Sequence, residues 1–160
     1  SAGTYNDHVR QAHCKICPAG KQCPGLSTKT PKDCPPGHYC PAGTASPIAC
    51  PSGTFSNRAG LTKVSECMEC PAGSWCVGGE KVECEKGFYG KFAGEGSQKS
   101  CSMCPSASET ADTGSSSVDQ CYCNDGHYKD DENHEECKVC LVGAECKCEG
   151  GCTLQTLPLR

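Results

Sequence analysis

Apolar residues in this chain do not gather into runs. Val, Ile, Leu and Phe stand singly except at Leu141-Val142, and no window keeps a 3.6-residue apolar period for three turns. What recurs is one ring at a fixed distance from a cysteine and a glycine, in the phrase Cys-x-x-Gly-x-aromatic. It runs from Cys34 to Tyr39, Cys50 to Phe55, Cys70 to Trp75, Cys84 to Tyr89 and Cys123 to Tyr128. Five of the nine aromatic residues hold this slot, so the slot belongs to the architecture. The glycine suits a tight turn with positive φ, often beside a proline (Pro35, Pro51, Pro71), and the turn is expected to aim its ring at a neighbouring disulfide. Each unit would then carry a miniature core. Imperfect copies begin at Cys17, Cys40, Cys104 and Cys140, where Gln22, Ala45, Glu109 and Glu145 replace the ring. Nineteen glycines and eleven prolines punctuate the rest, which predicts short β-hairpins and turns, with one brief helical turn formed by Arg58 to Glu66.

Cysteine spacing adds a second rule. Cys50 to Cys67, Cys84 to Cys101 and Cys104 to Cys121 are each 17 positions apart. A closing cysteine leads into the next opener through Cys-x-x-Cys (Cys14/Cys17, Cys67/Cys70, Cys101/Cys104, Cys137/Cys140) or Cys-x-Cys (Cys121/Cys123). A small loop, Cys-x-x-Gly-x-x-Cys, occurs at Cys17/Cys23, Cys34/Cys40, Cys70/Cys76 and Cys140/Cys146. These spacings suggest Cys17–Cys23, Cys34–Cys40, Cys50–Cys67, Cys70–Cys76, Cys84–Cys101, Cys104–Cys121, Cys123–Cys137, Cys140–Cys146 and Cys148–Cys152. A crossed pairing, Cys17 with Cys34 and Cys23 with Cys40, has the 17-position spacing too and stays open at this point. Nineteen cysteines leave one over. Ser1-Ala2-Gly3-Thr4-Tyr5 reads as the phrase without its opener, so Cys14 is expected to pair outside this chain, and Tyr5 to hold the ring slot.

Composition explains why cysteine has this role. Leu, Ile, Val and Phe make up only eighteen of 160 residues, too few for a large core. Cross-links stand in for it: closing a loop of about 17 residues removes roughly 3 kcal/mol of unfolded-state freedom. Such bridges persist only in an oxidising compartment, so an extracellular location follows. Formal charge is −4 with scattered basic residues, which excludes a nucleic-acid stripe. No apolar run nears the roughly 20 residues of a membrane helix.

Three stretches carry the resemblance to a known family: Cys34-Pro-Pro-Gly-His-Tyr-Cys40-Pro-Ala-Gly-Thr, Cys50-Pro-Ser-Gly-Thr-Phe-Ser56 and Glu66-Cys-Met-Glu-Cys-Pro-Ala-Gly-Ser-Trp-Cys76. They resemble ephrin-receptor-like cysteine-rich repeats, relatives of the EGF-like and TNF-receptor modules. The likeness is specific over residues 14 to 104 and looser onward to Cys152. It implies a small disulfide-rich fold of tandem modules in an extended rod, as in large secreted or surface proteins of protists and algae, mastigoneme-like filament proteins among them, and in animal receptors. The expected organisation is 1–14 as the later part of a repeat, 15–49 as tandem small-loop repeats and 50–83 as an ephrin-receptor-like repeat. Residues 84–122 hold two further 17-spaced loops, 123–152 an EGF-like acidic module and 153–160 a tail. Each unit is expected to contact mainly its neighbours.

Other chemistry is sparse. The Cys-x-x-Cys pairs have zinc-knuckle spacing, but single cysteines between them fit disulfides better, so neither metal nor cofactor is expected. Asp125, Asp130, Asp131, Glu132, Glu135 and Glu136 have oxygen ligands suited to calcium, yet their spacing fits no EF-hand and reads as a solvated acidic loop. His8, His13, His38, His127 and His134 have no sequence-apparent catalytic partner, so no enzyme is expected. Ser106, Ser108, Thr110, Thr113, Ser115, Ser116 and Ser117 form a hydroxyl-rich stretch and are candidate acceptors for O-linked sugars. The expected function is structural, a stiff stapled segment of a filament, coat or stalk that self-associates, with Trp75, Phe88 and Phe92 as interface rings. The alternative is an ectodomain that binds a protein or glycan.

Overall fold

The computed structural model describes residues 1–7, 13–26, 28–129 and 136–141, and the account below concerns those. Each copy of the phrase folds the same way. The residue after the opening cysteine begins a four-residue turn whose third position is the glycine. Thus the Lys21 N–H donates to the Pro18 carbonyl at 3.1 Å, Thr54 to Pro51 at 2.9 Å and Phe88 to Glu85 at 3.0 Å. Among the described residues the eight glycines so placed, Gly43 of the Cys40 copy included, have φ between 76° and 85°, the region a type II turn demands at that position. A hydroxyl after the glycine tightens it: Thr4, Thr54 and Ser108 donate to the carbonyls of Ser1, Pro51 and Pro105 at 2.6–2.7 Å. The copy at Cys104 is the exception, with Ala107 at φ 58° in the glycine position.

A short strand follows each turn and pairs with a strand ending near the next opener, which gives eight hairpins among the described residues. In order they are β1 (Thr4–Tyr5) with β2 (Lys15–Ile16), β3 (Lys21–Gln22) with β4 (Lys32–Asp33), β5 (His38–Tyr39) with β6 (Ile48–Ala49) and β7 (Thr54–Phe55) with β8 (Met68–Glu69). Then come β9 (Ser74–Val77) with β10 (Glu80–Glu83), β11 (Phe88–Tyr89) with β12 (Ser102–Met103), β13 (Ser108–Thr110) with β14 (Cys121–Cys123) and β15 (His127–Lys129) with β16 (Cys137–Val139). The register follows from the phrase: Phe55 faces Met68, and Tyr39 faces Ile48. The three 17-position loops each end in a 3-10 turn just before the closing cysteine, at Val64–Glu66, Gln98–Ser100 and Val118–Gln120. The first of these falls within Arg58 to Glu66, the stretch expected to form a helical turn.

Two-residue hairpins are not stable alone. What they bury is mostly sulfur: Cys17, Cys23, Cys34, Cys40, Cys70, Cys76 and Cys121 are all 0% exposed, and among the described residues Leu61 is the one large aliphatic side chain sealed with them. Small polar residues (Ser56, Ser74, Thr110, Ser115) complete the interior, and no buried side-chain polar atom among the described residues lacks a partner. The expectation of a ring-centred miniature core is corrected here. Tyr5, Tyr39, Phe55, Trp75, Tyr89 and Tyr128 are only partly buried, and the fully buried positions belong to cystine and Leu61.

The chain divides into two compact units, one of residues 1–70, 76–82 and 94–97, the other of 71–75, 83–93 and 98–160. Among the described residues no helix is long and apolar enough to cross a membrane.

Candidate functional site: the interlocked turns and bridges

The feature that repeats most faithfully is a set of backbone contacts between hairpins. Within each hairpin the following opener donates its N–H back to the turn glycine: Cys17 to Gly3, Cys34 to Gly20, Cys50 to Gly37 and Cys70 to Gly53 in the first unit, Cys84 to Gly73 and Cys104 to Gly87 in the second, all at 2.8–2.9 Å. At the seventh hairpin the donor is Asn124, to Ala107. There the Cys-x-Cys spacing brings Cys123 one residue early, so it pairs with Ser108 inside the strand.

Each turn glycine also donates forward, to the residue three places after the next turn glycine. Gly3 donates to Cys23, Gly20 to Cys40, Gly37 to Ser56 and Gly53 to Cys76 in the first unit, and Gly73 to Gly90 in the second. That acceptor residue uses its own N–H on a loop carbonyl one hairpin further: Cys23 to Thr44, Cys40 to Leu61, Ser56 to Gly79, Cys76 to Glu95, and Gly90 to Ser115.

The loops therefore reach two hairpins back. A Cβ placed on Gly3 would fall onto the carbonyl oxygen of Gly43, one on Gly53 onto that of Gly94, and one on Gly73 onto that of Gly114. On Gly20 it would lie 2.7 Å from the Gly60 oxygen, and on Gly37 3.1 Å from that of Gly79. Gly43, Gly60, Gly94 and Gly114 then donate to the openers Cys17, Cys34, Cys70 and Cys84 at 2.7–2.9 Å. To the contacts between neighbouring units expected from the sequence these add a second-neighbour set: the first hairpin touches the third, and the fourth touches the loop that carries Gly94. The loop glycines escaped the sequence reading, since a glycine in a loop has many uses. Their signal is a separation of 40 to 42 positions from the turn glycines.

The structure joins Cys17–Cys23, Cys34–Cys40, Cys50–Cys67, Cys70–Cys76, Cys84–Cys101, Cys104–Cys121 and Cys123–Cys137, with Cα separations of 5.6–5.9 Å. The crossed alternative at Cys17 to Cys40 is not the one formed. Cys140 is bonded as well, whereas Cys146, Cys148 and Cys152 lie outside the described residues. Cys14 is a free, exposed thiol three positions before its opener, the place that Cys67, Cys101 and Cys137 hold before theirs. Cys40 starts a real turn, Thr44 N–H to Pro41 at 3.2 Å, but no hairpin of its own, so that phrase belongs to the loop between β5 and β6.

The hydroxyl-rich stretch divides by exposure. Ser106, Thr113 and Ser116 are exposed, while Ser108 and Ser117 are half-buried, Ser117 capping the third 3-10 turn. Thr110 is 0% exposed and Ser115 6%. Thr110 Oγ1 accepts from the Gly87 N–H and donates to the Asp112 carbonyl, both at 2.9 Å. Thr110 and Ser115 are therefore withdrawn as sugar acceptors, since their hydroxyls sit inside the fold. Of the acidic loop, Asp130, Asp131, Glu132 and Glu135 fall outside the described residues, as do His8 and His134. His38 Nδ1 lies 3.0 Å from the Pro36 carbonyl, a local contact of the turn.

Electrostatics is local. Lys15 meets Asp7 at 2.7 Å beside the Tyr5 ring, and its pKa is raised chiefly by that hydrogen bond. The Glu66 carboxylate accepts from the Thr62 hydroxyl at 2.6 Å and the Thr62 N–H at 3.2 Å, which holds its pKa below the ordinary value. Of the three rings expected at an interface, Phe92 is 63% exposed, whereas Trp75 and Phe88 are partly buried.

Comparison with known proteins fits this frame. Residues 76–121 match the family described as tyrosine-protein kinase ephrin type A/B receptor-like. The sushi, von Willebrand factor type A, EGF and pentraxin domain-containing protein 1 of mouse is 27% identical over 143 aligned residues, covering 74% of this chain and 4% of the relative. The signal peptide, CUB and EGF-like domain-containing protein 3 of mouse is 30% identical over 143, covering 73% of this chain and 14% of the relative. The human form of the latter is 30% identical as well. The chain thus spans only a small part of these multidomain relatives. Disulfides at this density belong to an oxidising, extracellular setting. With one turn, one hairpin and two bridge patterns repeated along its length, the chain is an extracellular module built of cysteine-rich repeats, which over residues 76–121 are similar to the ephrin-receptor-like kind.

Proposed function

We propose that the segment is a non-catalytic structural spacer within a larger extracellular protein, stiffened by bridges and self-associating into a filament, coat or stalk. The observation that carries this reading is the glycine contact two hairpins apart, made four times in the first unit and once in the second. Bending such an array separates backbone from backbone, with no flexible side chain between to take up the strain. A chain whose interior is mainly cystine also resists proteases, which suits an exposed structural part.

A second reading, an ectodomain that binds a protein or glycan, is favoured by one feature of the second unit. An open depression of about 660 Å³ is lined by Glu109, Thr110, Tyr122, Asn124 and Asp125, polar groups around a partly exposed ring. Light scattering and small-angle X-ray scattering on the purified chain separate the two. The spacer reading expects a long particle that forms higher oligomers as concentration rises. A compact, monodisperse monomer with one saturable partner would overturn it in favour of the binding reading.

A further inference from the structure

Three loops of equal length, closed by Cys50–Cys67, Cys84–Cys101 and Cys104–Cys121, differ in one respect that matters for thiol chemistry. Their openers are buried alike, Cys50 at 2%, Cys84 at 1% and Cys104 at 7% exposure. Their closers are not: Cys67 and Cys101 are partly exposed, as is Cys137 of the 14-position loop, whereas Cys121 is 0% exposed. The small-loop bridges at Cys17–Cys23, Cys34–Cys40 and Cys70–Cys76 have both partners at 0%. Thiol–disulfide exchange requires a thiolate to approach a disulfide sulfur in line, so access decides which bridges react.

We infer that Cys67 and Cys101 are modification sites for an external thiol, and that the two 17-position loops they close open before the third and before the small loops. In the step, an external thiolate attacks the Sγ of Cys67. A new sulfur–sulfur bond forms there, the Cys50–Cys67 bond breaks, and the electron pair leaves on the Sγ of Cys50, which takes a proton from water. A second external thiolate attacks the incoming sulfur of the mixed disulfide, returning Cys67 as a thiolate that is then protonated and releasing the external disulfide. The protein gains two thiols and two external thiols are oxidised. The same sequence applies at Cys101 and Cys84.

What opens is a loop with a structural task. The 51–66 loop carries Gly60, which donates to Cys34, and Leu61, whose carbonyl accepts from Cys40. Its release loosens the grip on two earlier hairpins while their own small-loop bridges stay intact. Stiffness thus becomes adjustable by a thiol.

The test uses the whole chain with Cys14 first capped by an alkylating reagent. Timed exposure to glutathione, acid quenching and non-reducing peptide mapping give the order of opening. Cys50–Cys67 and Cys84–Cys101 are expected to open about tenfold faster or more than Cys104–Cys121 and the three small loops. Glutathione is expected on Cys67 and Cys101. Equal rates for the three 17-position loops, or glutathione carried on Cys50 and Cys84, would overturn the inference. Trypsin added at the midpoint is expected to cut at Arg58 or Lys63 only in molecules opened at Cys67, and cutting there in intact molecules would count equally against it.

Discussion

Hairpins that close early and hairpins that close late differ at one position. Three residues after the turn glycine, the early kind carries a cysteine (Cys23, Cys40, Cys76) bonded to its own opener, whereas the late kind carries Ser56, Gly90 or Thr110 and its opener bonds 17 positions on. Yet Cys23, Cys40, Ser56, Cys76 and Gly90 all make the same backbone donation to a loop carbonyl. The interlocking is therefore a property of the backbone and of glycine, and the bridge is a staple that can be moved along the chain without altering it. Thr110 shows how far this goes: its hydroxyl oxygen, where the other hairpins use a carbonyl, receives the turn glycine's N–H.

The sharpest way to break this comparison is to remove the glycine that both kinds share. Gly53→Ala forces a side chain at φ 81° onto the Gly94 carbonyl and is expected to cost about 3 kcal/mol in a non-reducing urea titration. Gly60→Ala meets the same backbone strain at φ 80° but no atom within 4 Å, and about 1 kcal/mol is expected. Equal losses would show that turn strain alone, and not the contact between hairpins, sets the cost. Next in size is Thr110→Val, which keeps the shape but leaves the Gly87 N–H and the Asp112 carbonyl without this hydroxyl. A loss of about 2 kcal/mol is expected by the same titration.

Moving the staple sharpens the comparison from the other side. The double variant Ser56→Cys with Cys67→Ser is expected to fold with a bridge from Cys50 to the new thiol at position 56, found by peptide mapping. Its loop is shorter, so the chain-entropy model gives a loss of only about 1 kcal/mol. A scrambled map would mean that position 56 is not equivalent to Cys23 and Cys40.

The smallest effect is a pH dependence confined to one of two matching loops. Glu66 and Gln120 stand just before their closing cysteines and accept from the N–H of Thr62 and Ser116, at 3.2 and 2.7 Å. The folded pKa of Glu66 is lowered, first by the Thr62 hydroxyl and then by its N–H. The sign follows: its contribution is full above the ordinary carboxylate pKa and is lost as pH falls through the lowered folded value. The Thr62 amide resonance should shift in that acid window while that of Ser116 stays put. Matching shifts at both would mean that another group is titrating.

The residues alone make the turn phrase, the two bridge spacings and the short hairpins legible, because each is a local rule written within some 17 positions. Pro51-Ser52-Gly53-Thr54 specifies its turn with no help from elsewhere, and of the three 3-10 turns only Val64–Glu66 falls where a helical turn is expected from the sequence. The rings were over-read. Phe55 and Tyr39 have the right spacing for a core but stay partly exposed on their two-residue strands, and the fully buried interior fell to cystine and Leu61.

What only the tertiary structure decided is which loop lies on which turn. Gly94 and Gly53 carry no side chain to advertise a partner, and their meeting rests on the path of the intervening chain. A sequence marks chemistry that side chains perform. It is silent on contacts made by backbone where side chains are missing, and this molecule locks its hairpins together there.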